Sequence, residues 1–295
     1  MKTEITIPIE TEFIIKRLAE HGHENYITGG CVRDLLLGKT PRNWNIVTTA
    51  PPEKMLTCFT MLTVIPTRAS DGIVTVVMNN AEYECASFRN GDNKEMLLIN
   101  DLSQRDFTIN AMAYSKKTGL VDPFGGMKDL ENKIIRCVGS PEDCFTKDPL
   151  RILRAWRFAD KFEFSIEDET LKTMDEMKQS IFTLSPMHLQ EEFFTTLISL
   201  RRPWENDDLI KLMIPEWEEF DMDQKMSAVK TFRVTNKTSG TPAAYASFFG
   251  CFENPERCIS VAESTMKRLK FSAYAKKTVC ELITEQLQKK GISQC

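Results

Sequence analysis

The stretch GGCVRDLLLGKTPRNWNIVTTA, Gly29 to Ala50, sets a tight glycine turn between a short strand (Tyr26-Ile27-Thr28) and a short helix, Val32 to Gly38. A Gly-Gly step at that junction lets successive backbone N–H groups face one point. The helix N-terminus adds positive potential there, and Arg33 adds a full charge with a fork of donors. Gly29, Gly30 and Arg33 together suit a triphosphate, although a Gly-Gly pair alone is equally the composition of an ordinary turn. Beyond the helix, Asn43 and Asn45 stand two apart on an expected strand and so project from one face. Two carboxylates so placed would hold a pair of magnesium ions for nucleotidyl transfer. Amide oxygens ligate without charge, and magnesium binds weakly without carboxylates.

On either side of this stretch, strands and helices mix. Residues 11–22 (TEFIIKRLAEHG) have helical spacing with Gly22 as the stop, and Pro51-Pro52-Glu53 opens a further helix. IVTVVM (73–78) and EYECASF (82–88) are β-rich runs joined by Asn79-Asn80, a hairpin signal. After Cys137 the segments DPLRILRAWRFADKF, DETLKTMDEMKQSIF and MHLQEEFFTTLISL all have helical period. The expected fold is an α+β head over 1–138 with a small mixed sheet, then an all-helical part comprising a neck (139–200) and a body (201–295). Loops are expected at 201–208 and, in TNKTSGTP, at 235–242.

With 295 residues, the chain is long enough for about two domains. Its 38 basic and 42 acidic side chains leave a formal charge of −4, which excludes a histone-like polycation. A local basic groove on an acidic protein is still compatible with nucleic acid. No apolar run approaches the ~20 residues that span a bilayer, and MKTEITIPIETEF lacks the apolar centre of a signal peptide. The nine cysteines are irregularly spaced with no CxxC pair, and the three histidines do not flank them at zinc spacing. These features point to a protein of the reducing cytoplasm, with no membrane partner and no zinc site.

Taken together, these motifs resemble the tRNA nucleotidyltransferase family: CCA-adding enzymes of the bacterial and eukaryotic class, with bacterial poly(A) polymerases as relatives. The family pattern, GG-x-VRD-x-LLG followed by D-x-D and a short I-x-T run, is present except that Asn43 and Asn45 stand at the aspartates. IVTVVMNNAEYECASFR (Ile73 to Arg89) resembles the next two strands, with Glu84 at the third acidic position. DLSQRDFTINAMA (101–113), DPFGGMKDLENKIIRCVG (122–139) and KDPLRILRAWRFA (147–159) follow in the family's order, so the resemblance covers about residues 22–200. It implies transfer of CMP or AMP from CTP or ATP to the 3′ end of tRNA. In that chemistry the 3′-hydroxyl attacks the α-phosphorus, pyrophosphate leaves, and Mg2+ stabilises the charged oxygens. The implied partners are CTP, ATP and the tRNA acceptor end. Oligomeric state is not implied.

In the last of these motifs Asp148 is a good N-cap, Pro149 suits the first helical position, and Ile152, Ala155, Phe158, Ala159 and Phe162 form an apolar stripe. Arg151, Arg154 and Arg157 fan over another face, which by itself is equally the pattern of a solvated basic surface. The resemblance implies instead that Asp148 and Arg151 present hydrogen-bonding groups to the base edge of CTP or ATP. It places Arg154 and Arg157, with Arg105, around the nucleotide and its phosphates.

The chain also departs from the family. Asn43 and Asn45 replace metal-binding aspartates, Lys147 stands where glutamate is usual, and Met187-His188 stands where Glu-Arg is usual. The segment 90–100 is shorter than the basic flexible one that helps switch from C to A, as in enzymes that add only the two cytidines. A poly(A) polymerase ranks below a CC- or CCA-adding enzyme, because TRASDGIVTVV lacks the basic insert of those relatives. The spread of changes over separate motifs favours drift in a non-catalytic homologue over a single engineered lesion. The C-terminal part is short for a bacterial member, and Lys267, Arg268, Lys270, Lys276 and Lys277 form either a phosphate-contacting patch or a solvated face.

Overall fold

A computed structural model describes residues 5–88, 97–199, 201, 208–252 and 255–292. Its contacts divide the chain into two units, Met1–Cys144 and Phe145–Cys295, a few residues beyond the expected head boundary at 138.

In the first unit, α1 (Ile9–Glu20) buries Thr11, Ile14 and Leu18 at helical spacing. There follow β1 (Asn25–Thr28), α2 (Gly30–Leu36), β2 (Trp44–Thr48), α3 (Pro52–Cys58), β3 (Thr63–Arg68), β4 (Ile73–Met78) and β5 (Ala81–Ser87). Next come α4 (Leu97–Ser103), β6 (Ala113–Ser115), β7 (Gly119–Val121) and α5 (Gly126–Asn132). The division between units falls within α6 (Pro141–Lys147). The strands form one mixed sheet in the order β3-β4-β5-β2-β1-β6-β7, in which β2 and β5 run parallel and the other pairs antiparallel. The β4–β5 hairpin turns through Asn79 (φ 52°) and Asn80 (φ 60°), the doubly left-handed turn that matches strand twist. Register sets Asn45 beside Glu84, and Glu84 beside Thr75. The opposite face is dry: Ile46 and Cys85 are fully buried, as are Val74 and Val76 on β4.

Among its described residues, the second unit is helical apart from turns and a two-residue extended step at Ser165–Ile166. It comprises α7 (Leu150–Phe162), α8 (Asp168–Met177), α9 (Pro186–Ser199), α10 (Asp208–Met213), α11 (Met222–Ser239), α12 (Thr241–Phe249), α13 (Pro255–Arg268) and α14 (Ala273–Ile292). The expected apolar stripe on α7 is buried at every position. Aromatic rings fill the core further along: Trp217 stacks on Phe248 at 5.6 Å, and Phe232 packs on Tyr245 at 5.3 Å. Among the described residues, no helix is long and apolar enough to cross a membrane.

The loop expected at 235–242 is mostly helix. Asp221 and Gln224 form a capping box that starts α11, and buried Ala228, Val229 and Phe232 carry it through TNKTS. Gly240, at φ 83°, makes the break before α12. Of the other expected loop, 201–208, residues 202–207 lie outside the described residues, as do Arg89 and residues 90–96 of the short segment.

Candidate functional site

The glycine turn is built as a cradle. Gly29 has φ +77°, a conformation that favours glycine, and a Cβ there would lie 2.7 Å from Arg105 Nη1 and displace that guanidinium. Its N–H donates to Met112 O at 3.1 Å, which pins the turn to the loop before β6. Gly30 opens α2, where an added Cβ would lie 3.3 Å from Arg33 Nη2. Arg33 is 5% exposed, and its fork serves the protein. Nε and Nη2 donate to Asp34 Oδ1 at 2.9 and 2.7 Å, and Nη1 donates to Asn110 Oδ1 at 2.5 Å. Asn110 Nδ2 donates in turn to Asp106 Oδ1 at 2.9 Å, which also accepts from Phe107 N at 2.8 Å. Arg105 Nη2 donates to Asp101 Oδ2 at 3.0 Å. Both guanidinium groups are therefore oriented by carboxylates. Arg33 holds the turn from beneath, and Arg105 is the more exposed of the two at its surface.

The neighbouring corner carries the amides. Asn43 lies in the bend before β2 and is exposed, a correction to its expected place on the strand; Asn45 is the second strand residue and half-buried. Cys31 Sγ on α2 lies 3.9 Å from Asn45 O, which brings the start of that helix against β2. Glu84 shares the face of Asn45, and its Oε2 accepts from Arg68 Nη2 at 3.2 Å. The thiols nearby are not nucleophiles. Burial pushes the Cys31 thiol up against opposing hydrogen bonds from the Asn45 and Thr28 backbone, and burial followed by the Glu84 charge pushes Cys85 up to about 12.

This donor set does not fit a magnesium ion. It offers two uncharged amides and one carboxylate that already pairs with a guanidinium, whereas magnesium needs anionic oxygens to offset its dehydration. Among the described residues, no group of three or more His, Cys, Asp or Glu side chains is arranged to hold a metal.

In the second unit Asp148 Oδ1 accepts from Leu150 N at 3.0 Å, capping α7. Arg151, Arg154 and Arg157 are all partly buried. Arg157 Nε donates to Glu192 Oε1 on α9 at 2.5 Å, and Arg154 and Arg157 both lie over the Phe158 ring, at 5.6 and 5.0 Å from its centroid. Lys147 and Met187-His188 are exposed, and Glu192 gives α9 an ion pair to Arg157 on α7.

The C-terminal basic run divides. Lys270 Nζ donates to Phe182 O and Leu184 O at 2.7 and 2.9 Å, and Arg268 Nη1 donates to Met213 O at 2.8 Å, so both tie segments of the second unit together. Lys267, Lys276 and Lys277 line a cavity of about 530 Å³ together with Glu263 and Glu281, which makes its charge mixed.

Sequence reading passed over Asp106, Asn110, Arg68 and Glu192. The first two lie in DLSQRDFTINAMA, where a buried Asp and Asn four apart are a recoverable signal. Arg68 and Glu192 meet their partners only through folding, and no local spacing marks them.

Residues 25–136 match the Poly A polymerase head domain. The CCA-adding enzyme of Lactobacillus delbrueckii subsp. bulgaricus is 35% identical over 191 residues, 61% of this chain and 48% of that protein. The CCA-adding enzyme of Streptococcus uberis is 38% identical over 172 residues, 55% of this chain and 42% of the relative. The chain thus spans about half the length of the curated relatives it matches. Among solved structures, a CCA-adding enzyme in complex with ATP superposes with a TM-score of 0.72 at 22% identity, covering 93% of this chain and 69% of that one. The Bacillus stearothermophilus CCA-adding enzyme in complex with CTP gives 0.61 at 24% identity, covering 95% and 82%. These structural likenesses establish the shared fold. Residues 25–136 of the first unit thus match the Poly A polymerase head domain, and the chain is similar to CCA-adding enzymes over about half of their length.

Proposed function

We propose that this chain is a tRNA nucleotidyltransferase-type protein that takes CTP and ATP at its head and acts on the 3′ end of tRNA. Its transfer step is impaired by Asn43 and Asn45. The observation that carries this reading is the Gly29–Gly30 cradle, with Arg105 across it and the Asn45–Glu84 face beside it. Support comes from relatives named CCA-adding enzymes and from solved CCA-adding enzymes holding ATP or CTP. In this reading Gly30 and Arg105 meet phosphates, while Gly29, whose N–H is held by Met112 O, and Arg33 shape the turn. Asp148 and Arg151 in the neck offer groups to the base edge, while Arg154 and Arg157 contribute charge. The division of the chain beyond residue 138 into neck (139–200) and body (201–295) belongs to the same proposal, as does addition of cytidines only, for which the short segment 90–100 is the support.

A second reading is a non-catalytic module that binds nucleotide and tRNA, favoured by the Arg68–Glu84 ion pair standing where carboxylates are needed. One experiment separates the two. Transcripts of tRNA ending before CCA are incubated with each nucleoside triphosphate singly, using the natural chain and the Asn43→Asp, Asn45→Asp variant. Incorporation restored in the variant supports the enzyme reading, and cytidine alone supports CC addition. Long adenosine tails identify a poly(A) polymerase. No incorporation by either chain, beside tRNA binding that weakens steeply with salt, supports the module.

A further inference from the structure

The corner where the family holds metal ions contains instead a fixed cation of the chain's own. Arg68 ends β3 just after an irregularity in its pairing with β4, and Thr67 Oγ1 beside it lies 3.0 Å from Thr75 Oγ1. Thr75, Glu84 and Asn45 are register neighbours across β4, β5 and β2, so the Arg68–Glu84 pair sits on the face that carries Asn45. That face leads through the Asn45–Cys31 contact to the glycine cradle.

Two features show what this pair can do. Its side chains are 57% and 43% exposed, so it contributes little to folding and lies open to solvent and ligand. A divalent cation approaching Glu84 would meet a guanidinium, whereas a polyphosphate would meet a planar fork suited to two phosphate oxygens. We infer that this head excludes divalent cations from the Asn43–Asn45–Glu84 corner and binds its nucleoside triphosphate metal-free, with Arg68 supplying the positive charge. In the unliganded chain Glu84 holds that guanidinium, and the triphosphate competes for it. This inference rests on the proposal that the head takes a nucleoside triphosphate.

The test uses the full chain, with CTP and inorganic triphosphate titrated by calorimetry in EDTA and in excess magnesium. The natural chain binds both in EDTA and binds them more weakly in excess magnesium, which complexes the free triphosphate and removes the species that Arg68 takes. Arg68→Ala weakens metal-free binding by about tenfold, the worth of a charge-assisted hydrogen bond, while its unfolding midpoint stays unchanged. Glu84→Gln, which releases the guanidinium, strengthens metal-free binding. Tighter binding by the natural chain in magnesium, unchanged metal-free affinity in Arg68→Ala, or weaker binding in Glu84→Gln each overturns the inference. A separate titration with manganese, read by electron paramagnetic resonance without nucleotide, finds no stoichiometric site in the natural chain and a gained one in Asn43→Asp, Asn45→Asp. A stoichiometric manganese site in the natural chain that is lost in Asn43→Ala, Asn45→Ala overturns the exclusion. Absence of CTP and triphosphate binding in both buffers defeats the functional reading and the role of Arg68, and the manganese result still decides the exclusion.

Discussion

The cradle and the amide corner lie on neighbouring strands of one sheet, yet they treat asparagine in opposite ways. In the cradle, Asn110 is 6% exposed and uses both ends of its amide, accepting from Arg33 and donating to Asp106. At the corner, Asn43 is exposed and Asn45 half-buried, beside a carboxylate that Arg68 already satisfies. An amide is essential where a buried network needs a donor and an acceptor on one side chain. Where metal chemistry needs charge, it is a deficit. The same near-isosteric change, Asn to Asp, therefore reads the two regions in opposite directions.

The largest effect is expected at the corner. Asn43→Asp with Asn45→Asp raises single-turnover incorporation on a tRNA primer at least ~10³-fold in magnesium, because two anionic ligands restore at least ~4 kcal/mol of transition-state stabilisation. An unchanged rate would place the lesion elsewhere, with Lys147 and His188 the first residues to replace.

Next in size is the cradle. Asn110→Asp keeps the acceptor for Arg33 but turns an oxygen toward Asp106 Oδ1 at the 2.9 Å where an N–H now lies. A buried donor is lost and like charges meet, so stability falls by roughly 2–3 kcal/mol, read as a lower urea midpoint with an unchanged m-value. A neutral outcome would mean that the Arg33 charge alone holds the network together.

Beneath both regions the layer is equally dry, and alkaline titration measures this. Cys31 underlies the cradle and Cys85 lies behind Glu84; burial raises both thiols, Cys85 to about 12 from an ordinary 9.0. A raised thiol pKa means that the folded state holds the proton more tightly than the unfolded one. For Cys85 the associated stability is complete below pH 9 and is lost as pH rises from there toward 12, at about 1.4 kcal/mol per pH unit. In Cys85→Ala the decline over this range is shallower, as measured by denaturant midpoints at successive pH values.

The legible parts of the sequence were those whose partners lie nearby in the chain. Gly29-Gly30, the Asn79-Asn80 hairpin and the α7 stripe each announce themselves within a few residues, and each stands where its spacing put it. Composition misled where tertiary contacts outweigh propensity: TNKTS reads as loop, but a capping box and buried Phe232 hold it helical. Lys270 and Arg268 read as either a phosphate-contacting patch or a solvated face, but they reach carbonyls of residues distant in sequence. Arg68 was illegible because only the register of β3 against β4 and β5 brings it to Glu84.

The smallest effect separates the two amides of the corner from each other. Asn45 is the register partner of Glu84, whereas Asn43 lies before the strand and is exposed. A carboxylate placed at 45 stands directly beside Glu84, and like charges facing across strands cost about 0.2–1 kcal/mol. Arg68 already serves Glu84 and offsets part of that repulsion. Asn45→Asp alone should therefore lower the thermal midpoint in EDTA by about 1–2 °C. Excess magnesium recovers it, because two neighbouring carboxylates now offer a cation anionic oxygens. Asn43→Asp alone should leave the midpoint where it is in both buffers, since an exposed substitution away from any partner falls within about 0.5 kcal/mol. A drop in Asn43→Asp and none in Asn45→Asp would show that residue 43, not 45, faces Glu84, and the register on which the corner rests would need redrawing.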